Sequence, residues 1–156
     1  MPFEVRPADV EEIEDGDAHE VALENARRKA AAVRGDVVLA VDTMVSLDGR
    51  IYGKPASEEE AAASLAALSG RTHEVVSGLV VGGREAVAVT EVAFRDLGPA
   101  WIDWYVQAGE WRDRAGGYAI QGRGAALVRE IRGDYLNVVG LPVAALLDLA
   151  PELLAR

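Results

Sequence analysis

The 156-residue sequence contains no cysteine, which excludes disulfides, thiolate nucleophiles and cysteine-based metal sites together. Its only histidines are His19 and His73, too few for the usual structural zinc set. No apolar run approaches the roughly 18 residues needed to cross a bilayer. Met1-Pro2-Phe3-Glu4-Val5 lacks the layout of a signal peptide, so a cytoplasmic protein with no membrane partner is expected. Positive charge is scarce as well: 16 Lys and Arg stand against 26 Asp and Glu, for a formal net charge of −10. Such a balance repels a nucleic-acid backbone, and no nucleic-acid partner is expected. A free nucleotide stays open, because carboxylates can hold a divalent cation that neutralises its phosphates.

Lysine is the rarest cation, present only as Lys29 and Lys54. In an arginine-rich chain a lysine stands out where a compact ammonium works and a flat guanidinium does not. Lys29 ends the polar face of a predicted helix, and Lys54 lies in Ile51-Tyr52-Gly53-Lys54-Pro55, beyond an acidic strand end at Asp42. The pair fits a polyphosphate site; it equally fits mutational bias with two survivors.

No linker, repeat or low-complexity segment divides the chain, so residues 1–156 read as one domain. Phe3 to Arg6 reads as a short strand and Pro7 to Gly16 as an acidic loop. Asp17 caps a predicted helix to about Val33, with Val21, Ala22, Ala26, Ala30 and Val33 at helical spacing. The run Val37-Val38-Leu39-Ala40-Val41 predicts a buried strand whose carboxyl end is Asp42-Thr43. Asp48-Gly49 and Gly82-Gly83-Arg84 predict hairpins. Ser57 with Glu60 opens a helix through Leu68, and Pro99 starts one carrying Trp101, Trp104 and Tyr105. Arg112 to Gly124 reads as a glycine-rich loop, Leu127 to Ile131 as a strand, and Val143 to Leu154 as a closing helix. Interleaved strands and helices give an α/β class with a mixed, twisted central sheet and flanking helices.

Candidate chemistry gathers in loops at strand ends. Asp42 at the end of a buried strand is placed to hold a metal or orient water, or simply to terminate the strand. Lys54 beside Pro55 suits a phosphate oxygen, or is an exposed turn lysine. Glu11 and Glu12 sit in an acidic run with Asp9 and Glu14; such runs are commonly solvated surface, and the functional reading makes one of them a second metal ligand. Gln121-Gly122-Arg123-Gly124 offers an amide, a guanidinium and backbone N–H groups, a cradle for a base edge or phosphate, or an ordinary turn. His73 reads as a structural histidine, and the Trp101, Trp104 and Tyr105 cluster as core or subunit contact.

The order of these segments carries more than any one of them. Val10-Glu11-Glu12, Ala26-Arg27-Arg28-Lys29-Ala30, Ala40-Val41-Asp42-Thr43, Gly53-Lys54-Pro55, Leu68-Ser69-Gly70-Arg71-Thr72-His73 and Thr90-Glu91-Val92-Ala93-Phe94 come first. Ala115 through Gly124, with Tyr118-Ala119-Ile120-Gln121-Gly122, and Gly133-Asp134-Tyr135 through Pro142 complete the series. Together they resemble, over essentially the whole chain, the Maf family of nucleoside triphosphate pyrophosphatases, also described as septum-formation inhibitors.

The resemblance implies a fold of the Maf and inosine-triphosphatase type and hydrolysis of a nucleoside triphosphate to monophosphate and pyrophosphate with Mg²⁺ or Mn²⁺. It implies Asp42 as the catalytic aspartate and metal ligand, Glu12 as a further metal ligand, Lys29 and Lys54 as phosphate contacts, and Gln121 as the signature glutamine. Thr43, Gly122 and Arg123 fall beside these as substrate contacts, and the Asp42-Thr43 pair together with Tyr118-Ala119-Ile120-Gln121-Gly122 resembles the branch acting on dTTP and UTP rather than the branch acting on 7-methyl-GTP. A homodimer through the Trp101 and Trp104 helix is the implied assembly. The family opens with a strand, a Ser-x-Arg-Arg loop and a helix ahead of the segment matching Phe3-Glu4-Val5, which this sequence does not contain. Some 20 to 30 further upstream residues are therefore expected, at typical element lengths. The alternative implied by their absence is a nucleotide-binding regulator of division without turnover.

Overall fold

Alternation of apolar and small residues through the middle of the chain builds a five-stranded sheet in the computed structural model, which describes residues 3–155. Strands β1 (Leu39–Leu47), β2 (Arg50–Tyr52), β3 (Thr72–Val81), β4 (Arg84–Phe94) and β5 (Val128–Arg132) lie in the order β2-β1-β3-β4-β5. Helices α1 (Ala18–Ala32), α2 (Glu58–Leu68), α3 (Pro99–Ala108), α4 (Tyr135–Val139) and α5 (Val143–Leu149) flank it. The α/β class with flanking helices stands. All four pairings among the described strands are antiparallel, so the expected mixture of strand directions does not extend to them.

Both hairpins form where the turn residues place them. Asp48 and Gly49 adopt φ of 51° and 76° between β1 and β2, the left-handed values a two-residue turn needs. Ser57 accepts a hydrogen bond from Glu60 N at 3.2 Å, while the Glu60 carboxylate turns back to Ala56 N at 2.8 Å. Leu65 and Leu68 then carry α2 into the main core with Val75, Val92, Phe94, Tyr105, Trp111 and Leu127. Burying each such leucine contributes about 1.5–3 kcal/mol relative to leaving it in water.

Four expectations change. Phe3 to Arg6 is not a strand: these residues are exposed, and the chain stays irregular up to Asp17. Asp42 is not at a strand end but inside β1, because no Gly or Pro separates Val41 from Met44 and the whole run Leu39 to Ser46 pairs with β3. The closing helix ends at Leu149, since Pro151 disfavours a helical residue before it, and a 3-10 turn over Pro151–Ala155 follows. The glycine-rich loop carries 3-10 turns at Ala115–Gly117 and Arg123–Leu127, and Tyr118, Ala119 and Ile120 within it are buried. One helix was not foreseen: Asp134 caps α4 by accepting from Leu136 N at 2.8 Å.

Candidate active site

Strand periodicity decides which side of the sheet Asp42 serves. Successive side chains of β1 alternate, so Asp42 shares a face with Met44 and Ser46, while Thr43 points the other way. On the Asp42 face, Met44 and Val76 pack against Ala18, Val21 and Ala22 of α1. The position opposite Asp42 on β3 is Gly78. A Cβ there would lie 2.5 Å from Leu23 Cα and as tightly against the Ala22 carbonyl, so the missing side chain lets α1 rest directly on the sheet. Its buried row Val21, Ala22, Asn25 and Ala26 then runs into Lys29.

That descent delivers two side chains to one carboxylate. Lys29 Nζ donates to Asp42 Oδ1 at 2.5 Å, and Asn25 Nδ2 donates to Asp42 Oδ2 at 3.1 Å. Asp42 is 6% exposed and Asn25 fully buried. The same Lys29 ammonium lies 2.7 Å from Glu12 Oε1. Glu12 comes from the irregular segment before α1, which Asn25 grips through Ile13: Asn25 Oδ1 accepts from Ile13 N at 2.8 Å and Nδ2 donates to Ile13 O at 2.9 Å. Arg28 adds a bond to the Glu11 carbonyl at 3.1 Å.

The ammonium's hydrogen bond holds the Glu12 carboxyl below the usual range against burial, with the charges of Lys29 and Lys54 helping. Burial alone would lower Lys29, but hydrogen bonds to Asp42 and Glu12 more than offset it, and the net shift is upward. Lys54 itself is exposed on the turn after β2. That turn is tied to the glycine-rich segment by Gly116 N donating to Gly53 O at 3.1 Å.

The remaining expected residues stand apart. Thr43, on the opposite face, shares a 2.8 Å hydrogen bond with Ser77 and donates to Gly140 O at 3.5 Å. Gln121, Gly122 and Arg123 are exposed, and among the described residues no hydrogen bond or ion pair ties them to the Asp42 group. Their loop is held instead by Glu110, whose Oε2 accepts from Arg123 N at 2.8 Å, while the Arg123 guanidinium lies 6.0 Å from the Trp104 ring centroid. His73 is structural: its Nε2 meets the Tyr118 hydroxyl at 2.7 Å, its ring packs edge-on to Phe94 and Tyr118, and burial pushes its pKa down to about 4.

Sequence reasoning missed Asn25, Gly78 and Glu110. Asn25 left a legible trace, a polar residue in the apolar row four positions after Val21 and four before Lys29. Gly78 inside an apolar strand signals a close backbone approach, a reading available from the sequence. Glu110 gave no such signal.

Asp42 and Glu12 are hard oxygen donors converging on one cation. Among the described residues no group of three or more His, Cys, Asp or Glu gathers into a metal cage. Two carboxylates completed by water and phosphate oxygens suit Mg²⁺, which seldom uses an all-protein cage. No helix among the described residues is long and apolar enough to cross a membrane.

A family model described as "Maf-like protein" matches residues 1–153. A dTTP/UTP pyrophosphatase of Pyrococcus furiosus is 47% identical over 155 residues, covering 93% of this chain and 82% of that protein. A dTTP/UTP pyrophosphatase of Anaeromyxobacter dehalogenans is 49% identical over 154 residues, covering 92% and 79%. One from Moorella thermoacetica is 45% identical over 161 residues, covering 96% and 83%.

Proposed function

The chain belongs to the Maf family, and on that premise we propose that it hydrolyses nucleoside triphosphates, dTTP and UTP foremost, to the monophosphate and pyrophosphate. The observation that carries the reading is the buried Asp42 carboxylate held by Lys29 and Asn25, with Glu12 on the same ammonium. Relatives named for dTTP and UTP hydrolysis, matched over most of both chains, support the substrate class.

Each residue has a role its surroundings favour. Asp42 and Glu12 would hold a divalent cation, Mg²⁺ or Mn²⁺. When bound, such an ion neutralises phosphate charge and polarises the scissile linkage. The Asp42 carboxylate, beside Lys29, would accept a proton from the attacking water or fix its orientation. A divalent ion held by Asp42 and Glu12 would weaken their hold on Lys29, whose ammonium would then contact the phosphates, and exposed Lys54 offers a further ammonium to the triphosphate. Stabilising charge on the transferring phosphoryl group is the dominant catalytic contribution in this chemistry. In this reading the exposed Gln121 amide, with Gly122 and Arg123, would supply the base contacts.

The test is pyrophosphate release from a panel of triphosphates with Mg²⁺ or Mn²⁺. Asp42→Asn is expected to reduce turnover on the order of 10²-fold or more. Undiminished release by that variant overturns the mechanism. Nucleotide binding without product in the wild-type protein replaces hydrolysis with a regulatory role.

A further inference from the structure

The amide of Asn25 is fully buried, and both its polar atoms are committed. Its oxygen accepts from Ile13 N and its nitrogen donates to Ile13 O, the two-bond pattern one peptide offers another in a sheet. The second proton of the same nitrogen goes to Asp42 Oδ2. One side chain thus grips an irregular segment and a strand carboxylate at once. Because Glu12 precedes Ile13 directly, the grip also sets where the Glu12 carboxylate lies. We propose that Asn25 is the positioning residue of this site, a latch that holds the Glu12 segment against Asp42 so that the two carboxylates face a common point.

Physical alternatives serve less well. Residues 3–16 contain no helix or strand, so their backbone groups have no ladder to fix them. The Arg28 bond to Glu11 O is exposed and open to exchange with water. Ile13 packs against the small cluster of Ala18, Val21, Ala22, Met44 and Val76, which gives adhesion without register. Among the described residues, only the Asn25 amide reads the backbone of this segment from a fully buried side chain, through bonds partly shielded from water and so less readily traded for it. Asn also leaves Asp42 with a neutral donor on one oxygen and the ammonium on the other, whereas Asp at position 25 would lack a donor and add a like charge. The inference rests on the reading of the Asp42 group as a nucleotide-hydrolysing centre, yet the latch itself is readable without turnover.

Two measurements test it. The first is amide exchange of Ile13 in wild type and in Asn25→Ala, with Asn25→Leu as the near-isosteric variant that lacks both polar atoms should the alanine protein fail to fold. Protection of Ile13 is expected to drop at least about tenfold in either variant while β3 amides keep theirs. The second is a double-mutant cycle with Glu12→Gln on the Mg²⁺ concentration that gives half-maximal pyrophosphate release. Asn25→Ala should raise that concentration about 10- to 100-fold in the wild-type background, the range typical of groups that orient metal ligands. It should raise it far less once Glu12 is gone, because the latch then has little to hold. Unchanged Ile13 exchange, or effects that simply multiply, would overturn the proposal. Should the wild-type protein release no pyrophosphate, the hydrolase reading fails, and Ile13 exchange alone decides the latch.

Discussion

Lys29 Nζ lies 2.5 Å from Asp42 Oδ1, joining α1 to β1 through two residues 13 positions apart, at the one buried carboxylate among the described residues. The pairing is expected to bear on both stability and turnover, and the two can be separated. Lys29→Met leaves the Asp42 carboxylate with only the Asn25 donor and removes the cation between two acids. Leaving such a buried charge underpaired costs roughly 1–3 kcal/mol, and turnover should fall on the order of 10²-fold or more. Lys29→Arg keeps the charge but replaces a compact donor by a planar fork. Thermal unfolding should show Arg recovering most of the stability that Met loses, while pyrophosphate release stays low in both. Equal activity of Lys29→Arg and wild type would remove the lysine-specific role.

The same triad sets a pH window. The Glu12 carboxyl is held below its ordinary value near 4.5 by the Lys29 hydrogen bond. Its stabilising contribution is therefore complete above about pH 4.5 and is lost as pH falls through the lower folded-state value. Lys29 is raised above 10.5, so its contribution is complete below that pH and is lost as pH rises through the folded-state value. Denaturant midpoints of wild type and Glu12→Gln should differ most between these limits and converge in acid. A constant offset down to about pH 3 would show that the ion pair contributes nothing through Glu12.

His73 titrates against folding at a higher pH. Burial lowers its folded-state value to about 4 from 6.5, so between those values the unfolded chain takes up a proton that the native protein refuses. Stability falls as pH drops through that range, by on the order of 3 kcal/mol when complete. His73→Phe should flatten the acid limb, although leaving the Tyr118 hydroxyl without its partner lowers stability at neutral pH. An unchanged slope between pH 6.5 and 4 would assign the acid sensitivity elsewhere.

Much of this arrangement was legible because its causes are local. Asp17, Ser57 and Pro99 announce their helices through groups within three or four residues of themselves, and Asp48-Gly49 announces its turn by the φ values it tolerates. Asp42, Lys29 and Glu12 were identified through the order of segments along the chain; their meeting depends on the close seating of α1 over Gly78. The placement of Asp42 was misread because an apolar run gives no sign of where pairing ends, only where a Gly or Pro forbids it. Thr43 shows the same limit: adjacency in sequence put it beside Asp42, and strand alternation turned its side chain to Ser77. Helix α4 escaped because a five-residue helix offers no period to read, and the Asp134 cap looks the same as a turn.

Gly78 tests whether α1 seating is needed. Gly78→Ala drives a methyl into the Ala22 carbonyl and Leu23 Cα, backbone atoms that cannot swing aside. Overpacking of this kind costs typically 1–3 kcal/mol. The helix should lift, lengthening the Lys29 and Asn25 contacts, so activity should fall more than stability alone explains. Gly53→Ala, where an added Cβ meets nothing within 4 Å, is the control for a general effect of glycine loss. Wild-type activity in a stable Gly78→Ala protein would show that the site tolerates a displaced helix.

Base choice is expected to lie in the loop that Glu110 holds. Its carboxylate accepts from Arg123 N at 2.8 Å and crowds Gly122, where a Cβ would come within 2.6 Å of Oε2, so the Gln121 amide is presented to solvent from a fixed backbone. An amide discriminates by the penalty of a wrong partner, about 1–3 kcal/mol for a buried mismatch, which is roughly 5- to 150-fold in rate. Wild type should favour dTTP and UTP over 7-methyl-GTP, and Gln121→Ala should narrow that ratio by about tenfold or more. Glu110→Ala should narrow it less, because the loop loosens while the amide stays. The measurement is kcat/KM for the three triphosphates in each protein. If Gln121→Ala lowers all three equally, the amide serves the shared triphosphate and base selection belongs to other residues.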